Sequence, residues 1–173
     1  RQKLATYYST RFGVTADPDQ NMLVSAGSKI IVYMSILATI DPGDEVIIQE
    51  PYWLSYPEQI RLCRGVVKVV PYWAKGPEFE RYFTPRTKLV ILNNPNNPAG
   101  SIYPLEYLGT IYRRCLDNDA HLLVDEAYSD FCLNEEFKSV GLLDPTFRNI
   151  VVVNSLSKCM GMSGWRIGFM IAH

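Results

Sequence analysis

Histidine and cysteine are scarce in this 173-residue chain, which has two of the first and four of the second. Cys63, Cys115, Cys132 and Cys159 are scattered, with no Cys-x-x-Cys pair and no histidine at metal-ligand spacing. That distribution argues against a zinc site or a disulfide framework and reads as reduced thiols in a cytoplasmic protein. No apolar run is long enough to span a membrane, and no signal peptide is evident. Neither charge is in excess: 17 Lys and Arg against 18 Asp and Glu leave a net −1. Nucleic acid and membrane surfaces are therefore not expected as partners, nor is an acidic substrate gathered by bulk steering. Two nucleotide signatures are also missing. There is no Gly-x-x-x-x-Gly-Lys-Ser/Thr loop, and no Gly-x-Gly-x-x-Gly follows a strand. The second absence argues against a dinucleotide enzyme.

What is present is a core and an alternation. Apolar residues make up 47% of the chain, enough for one domain. Helix-like patterns at Arg1–Phe12, Ile30–Ile40, Leu54–Cys63 and Leu105–Leu116 are interleaved with strand-like runs. The strands are read at Met22–Val24, Glu45–Gln49, Val66–Val70, Lys88–Leu92, His121–Asp125, Ile150–Val153 and Arg166–Ala172, with a loop at Tyr72–Pro77. Strands separated by helices of about ten residues predict a mainly parallel sheet covered on both faces.

Chemically loaded residues cluster where those strands end. In a parallel sheet such ends share one edge, so loops distant in sequence converge there. The richest is Asn154-Ser-Leu-Ser-Lys-Cys-Met-Gly-Met-Ser-Gly-Trp-Arg166. Its Lys158 reads either as a solvated loop lysine or as a partly desolvated nucleophile. Gly27-Ser28-Lys29 precedes a helix; Ser28 is an ordinary cap there, or the free amides bind phosphate. Asn93-Asn-Pro-Asn-Asn-Pro-Ala-Gly100 is a set of turns in which one amide is free to meet a ligand oxygen. Asp125 and Glu126 end a buried strand and are costly there unless a cation faces them. With no histidine cluster, a cationic ligand atom is a better partner than a metal. Tyr128 follows with a hydroxyl donor. Trp53 is a core aromatic or a flat stacking surface, and Arg166 an ion-pair partner or a phosphate clamp. A flat phosphorylated ligand with a cationic ring nitrogen and a carbonyl satisfies all of these groups, and pyridoxal 5′-phosphate has those features.

Five motifs in order resemble the fold-type I, class I/II aminotransferases, the aspartate aminotransferase superfamily. They are Gly27-Ser-Lys29, Pro51-Tyr-Trp53 with Ser55-Tyr-Pro57, Asn93 to Gly100, Asp125-Glu-Ala-Tyr128, and Ser155-Leu-Ser-Lys158 with Gly164-Trp-Arg-Ile-Gly168. The resemblance implies a three-layer αβα sandwich with a mainly parallel seven-stranded sheet whose last strand is antiparallel. It implies pyridoxal 5′-phosphate as cofactor, with Lys158 as the Schiff-base lysine and proton carrier. Asp125 would pair with the ring nitrogen, Asn97 and Tyr128 would bond the phenolic oxygen, and Trp53 would stack on the ring. Gly27, Ser28 and Lys29 through their amides, with Ser155, Ser157 and Arg166, would hold the phosphate. Amino-acid and 2-oxo-acid substrates and a homodimer follow from the same resemblance.

Residues 1–173 are read as the cofactor-binding large domain, incomplete at both ends. The family's N-terminal segment, with its cross-dimer tyrosine, and its C-terminal small domain, with a carboxylate-binding arginine, match nothing here. Two other readings stay open: a carbon–sulfur lyase using the same cofactor, and a cofactor domain without activity of its own.

Overall fold

The computed structural model describes residues 1–132 and 137–173. Among these residues, seven strands form one sheet: β1 (Met22–Ser25), β2 (Glu45–Gln49), β3 (Val66–Val70), β4 (Thr87–Asn93), β5 (His121–Asp125), β6 (Ile150–Ser155) and β7 (Gly168–Ile171). The helices are α1 (Gln2–Phe12), α2 (Ser28–Thr39), α3 (Ser55–Leu62), α4 (Pro77–Glu80), α5 (Leu105–Asp117) and α6 (Leu156–Cys159). The strand order is β1-β7-β6-β5-β4-β2-β3. Pairing is parallel from β3 through β6, and β7 runs antiparallel to both β6 and β1. The expected architecture, with a reversed last strand, is therefore the one observed.

The central strands are apolar without a break because both faces of the sheet are covered. Successive side chains point to opposite faces, so each strand feeds two cores. On one face Ile47, Val90, Leu122 and Val152 pack with Tyr8 of α1 and with Leu108, Ile111 and Tyr112 of α5. On the other, Val46, Ile48, Leu123 and Val153 pack with Ile31 and Ile36 of α2 and with Tyr56 and Ile60 of α3. The α5 stripe Leu108, Ile111, Tyr112, Cys115 has the i, i+3, i+4, i+7 spacing of one buried helical face.

Many boundaries shift by a residue from the expected ones, and four differences are larger. β6 extends past Val153 to Ser155 because Ser155 pairs with Gly168 of β7. Arg166 lies outside the last strand, since its left-handed backbone (φ 52°, ψ 51°) cannot continue one. α2 starts at Ser28 rather than Ile30. The expected loop Tyr72–Pro77 ends in α4, with Pro77 in its first turn, where the missing N–H costs nothing.

Candidate active site

The carboxyl ends of β4, β5 and β6 lie side by side. Asn93 is in register with Asp125, and Asp125 with Val153. Beyond this edge one cleft is lined by Ser28, Trp53, Asn97, Asp125, Tyr128 and Lys158. These six residues come from five separate motifs, and the parallel register is what gathers them.

Asp125 is the electrostatic centre of the cleft. Its carboxylate is buried and accepts from the Tyr56 hydroxyl at 3.0 Å and from the Ala127 amide at 3.1 Å. Burial pushes its pKa up, and these two hydrogen bonds oppose that shift only in part. No cation pairs with it among the described residues. A cleft with a buried, unneutralised carboxylate suits a ligand that brings its own positive charge.

Lys158 stands in α6, just beyond β6, with Nζ 5.7 Å from the centroid of the Tyr128 ring. Of the two readings of Lys158, the partly desolvated one is not what is found: Lys158 is exposed.

Ser28 lies at the start of α2, which is built for an anion, although Gly27, Lys29 and Arg166 beside it are outside the residues lining the cleft. Gly27 occupies the N-cap of α2 at φ 95°, and no side chain caps the helix. Ser28 is thus the first helical residue instead of the cap, and the leading amides keep their positive potential. Against them lies Arg166, which donates from Nη1 to the Ser163 carbonyl at 3.1 Å. A Cβ on Gly27 would stand 2.4 Å from Arg166 Nη2, so glycine is what lets the guanidinium reach the helix start. The Lys29 side chain turns elsewhere, to lie 4.8 Å from the centroid of the Trp53 ring.

Gly168 sustains this arrangement from below. A Cβ there would stand 2.2 Å from the Ser28 nitrogen and 2.3 Å from the Gly27 carbonyl carbon, both backbone atoms without freedom to retreat. Gly168→Ala is expected to lower the unfolding free energy of the full-length protein by about 3 kcal/mol. Urea denaturation measures that loss.

The asparagine run divides as turn chemistry requires. Asn93 donates to the Asp125 carbonyl at 2.8 Å and accepts from the Asn97 amide at 2.6 Å. Asn94 exchanges bonds with the Tyr103 backbone, and Asn96 ties the Pro51 carbonyl and the Ala99 amide. Asn97 is the member whose side chain holds no hydrogen bond among the described residues, and it lines the cleft.

The two serines before Lys158 differ. Ser155 Oγ accepts from the Ser157 amide at 3.2 Å and caps α6, and it also donates to the Ile167 carbonyl at 3.4 Å. Ser157 Oγ is buried with no partner. Three further residues line the cleft without having been expected there: Tyr56, Asn93 and Ala127. Tyr56 follows Trp53 by three residues, across the turn that leads into α3, and membership of the same motif was the available signal. Glu126, by contrast, points away from the cleft's lining. It is wholly buried and accepts from Tyr8, Ser139 and the Val140 amide, and burial raises its pKa to about 7.

A mainly parallel α/β domain with an amine, a buried acid and an anion seat at its carboxyl edge defines a ligand-binding domain of the doubly wound kind. The chain belongs to the aminotransferase class I and II family, whose profile it matches over residues 1–173. It is 37% identical to the aspartate/prephenate aminotransferase of Thermus thermophilus over 98% of this chain and 45% of that protein. Against the aspartate aminotransferase of Thermotoga maritima the identity is 35%, over 99% of this chain and 47% of that one. Among solved structures, Thermus thermophilus aspartate aminotransferase with maleate superposes with a TM-score of 0.88 at 35% identity, covering 98% of this chain and 45% of that one. The aromatic aminotransferase of Pyrococcus horikoshii superposes with a TM-score of 0.93 at 29% identity, covering 99% and 48%. The chain thus spans just under half the length of these relatives.

Proposed function

We propose that the full-length protein catalyses pyridoxal 5′-phosphate-dependent transamination between an amino acid and a 2-oxo acid, with Lys158 as the amine that links covalently to the cofactor. The observation that carries this reading is Asp125, a buried carboxylate with no protein cation beside it, in one cleft with a lysine. The residues fit the cofactor. Asp125 would hold a protonated ring nitrogen. The unengaged Asn97 amide and the Tyr128 hydroxyl would donate to the phenolic oxygen, and Trp53 would cover a ring face. The amides of Gly27, Ser28 and Lys29, with Arg166 and the unpartnered Ser157 hydroxyl, would seat the phosphate. Ser155 would join them only by sharing the oxygen that caps α6.

When bound, the cofactor supplies an electron sink for the pair released as the substrate Cα–H bond breaks. The chain's own part is proton handling: the Lys158 amine, exposed in the cleft, would take that proton and return it at a neighbouring carbon. Trp53 and Tyr128 would limit water around the exchange. The resemblance further supports residues 1–173 as a cofactor-binding large domain acting in a cytoplasmic homodimer.

The test is the full-length protein supplied with cofactor, an amino acid and a 2-oxo acid. The expected result is a new oxo acid formed mole for mole with a new amino acid. Ammonia and pyruvate released instead would favour the lyase reading, and failure to take up cofactor would sink both.

A further inference from the structure

We propose that the buried bridge Glu126–Tyr8–Asn154 positions the two working turns of the cleft against each other, which makes α1 part of the site although it contributes nothing to the lining. The inference rests on the reading above that Asp125 and Lys158 act on one ligand.

The sheet alone does not set the distance between those two residues. The β5–β6 ladder ends at Asp125 opposite Val153, closed by the Glu126 amide donating to the Val153 carbonyl at 2.7 Å. Past that point β5 ends, while β6 runs on to Ser155 against β7 before it turns into α6. What joins the turns is a chain of side chains. The Asn154 amide nitrogen donates to the Tyr8 hydroxyl at 2.7 Å and to Ser129 Oγ at 3.1 Å. Its oxygen accepts from the Ser155 amide at 2.6 Å. The Tyr8 hydroxyl donates onward to Glu126 Oε2 at 2.9 Å. Glu126 Oε1 accepts from Ser139 Oγ at 3.0 Å and the Val140 amide at 2.8 Å. Glu126 directly follows Asp125, and Asn154 opens the segment that carries Lys158.

The three members are 0%, 0% and 1% exposed for Glu126, Tyr8 and Asn154. At that depth a group stripped of its partner bears its full desolvation cost, so the bridge holds one arrangement and resists others. A mere fastening of α1 to the sheet would need only apolar contact, which Tyr8 already makes against Phe169 of β7. A second line runs parallel. Tyr7 donates its hydroxyl to Asp130, Arg11 pairs with the same carboxylate at 3.2 Å, and Cys159, next to Lys158, faces Asp130 and Tyr7. One helix therefore reaches both turns through adjacent residues.

Tyr8→Phe in the full-length protein tests this, since it keeps the ring and removes the link. In the cofactor-free protein, amide hydrogen exchange should rise about tenfold in residues 125–131 and 154–160 while the strand interiors stay protected. Affinity for pyridoxal phosphate should fall about tenfold, the equivalent of one lost hydrogen bond to a charged group. Glu126→Gln should do the same. With Oε1 held by Ser139 and Val140, the amide nitrogen faces a Tyr8 hydroxyl that already accepts from Asn154, and the Tyr8 O–H is left without an acceptor. The double variant should lose less than the two effects combined, because one bridge is broken twice. Faster exchange confined to α1, or spread evenly over the molecule, with cofactor affinity within twofold of wild type, would overturn the proposal. Should the wild-type protein take up no cofactor, the functional reading fails by itself, and the exchange pattern still decides the bridge. If Tyr8→Phe does not fold, Glu126→Gln alone is read by the same two measurements.

Discussion

Lys158→Ala is expected to reduce turnover by about 10⁴-fold or more, and to leave nothing in the cleft that borohydride can fix to the cofactor. Lys158 is the one amine among the residues lining the cleft. Lys29, the other nearby amine, is held over Trp53 and lies outside that lining. The loss should be chemical instead of structural. Lys158 is exposed and forms no ion pair among the described residues, so its truncation should alter the unfolding free energy by less than about 0.5 kcal/mol. Peptide mapping after borohydride reduction checks the first part: wild-type protein should carry the label on Lys158 and the variant none. A label recovered at full yield on another lysine of the variant would remove Lys158 from its role.

Asp125→Asn is expected to change sign with the occupancy of the site. Asparagine keeps the shape and can keep both contacts. Its oxygen accepts from the Ala127 amide, and its nitrogen donates to Tyr56, whose hydroxyl serves as acceptor as readily as donor. In the cofactor-free protein the substitution removes a buried charge that has no cation beside it among the described residues, so the unfolding free energy should rise by about 1 kcal/mol. With cofactor present it removes one half of a buried ion pair. That loss is worth about 3–5 kcal/mol, or roughly 10²- to 10⁴-fold in turnover or affinity. Denaturation of both forms with and without cofactor, beside steady-state rates, gives the comparison. A variant less stable in the cofactor-free state would mean that the acid has a structural purpose here.

Both expectations draw on motifs that were legible before any fold was known. Lys158, Asp125 and Arg166 each have an ordinary structural reading in sequence, and they stand out together because they flank strands whose ends converge in a parallel sheet. Asn97 does not stand out. It is one of four asparagines in a turn, and only the hydrogen bonds of Asn93, Asn94 and Asn96 set it apart. Ser28 was read as either cap or binding residue. Its place one position inside α2 removes the capping alternative, and that position depends on Gly27 adopting φ 95°. Tyr56 was visible within a motif yet had no assigned role, because its partner Asp125 lies 69 residues away.

The sequence by itself determined the sheet, its direction and the identity of most of the cleft. Apolar runs bounded by turns dictate buried strands, and helices between them dictate parallel pairing, both local consequences of burial and chain geometry. Only the tertiary structure decided which hydroxyls and amides are spent on capping and which are free. It alone shows that Asp125 lacks a cation, that Lys158 is exposed, and that Tyr8 connects the turns holding them. Hydrogen-bond partnership and desolvation depend on which atoms meet across the fold, and no pattern along one chain records those meetings.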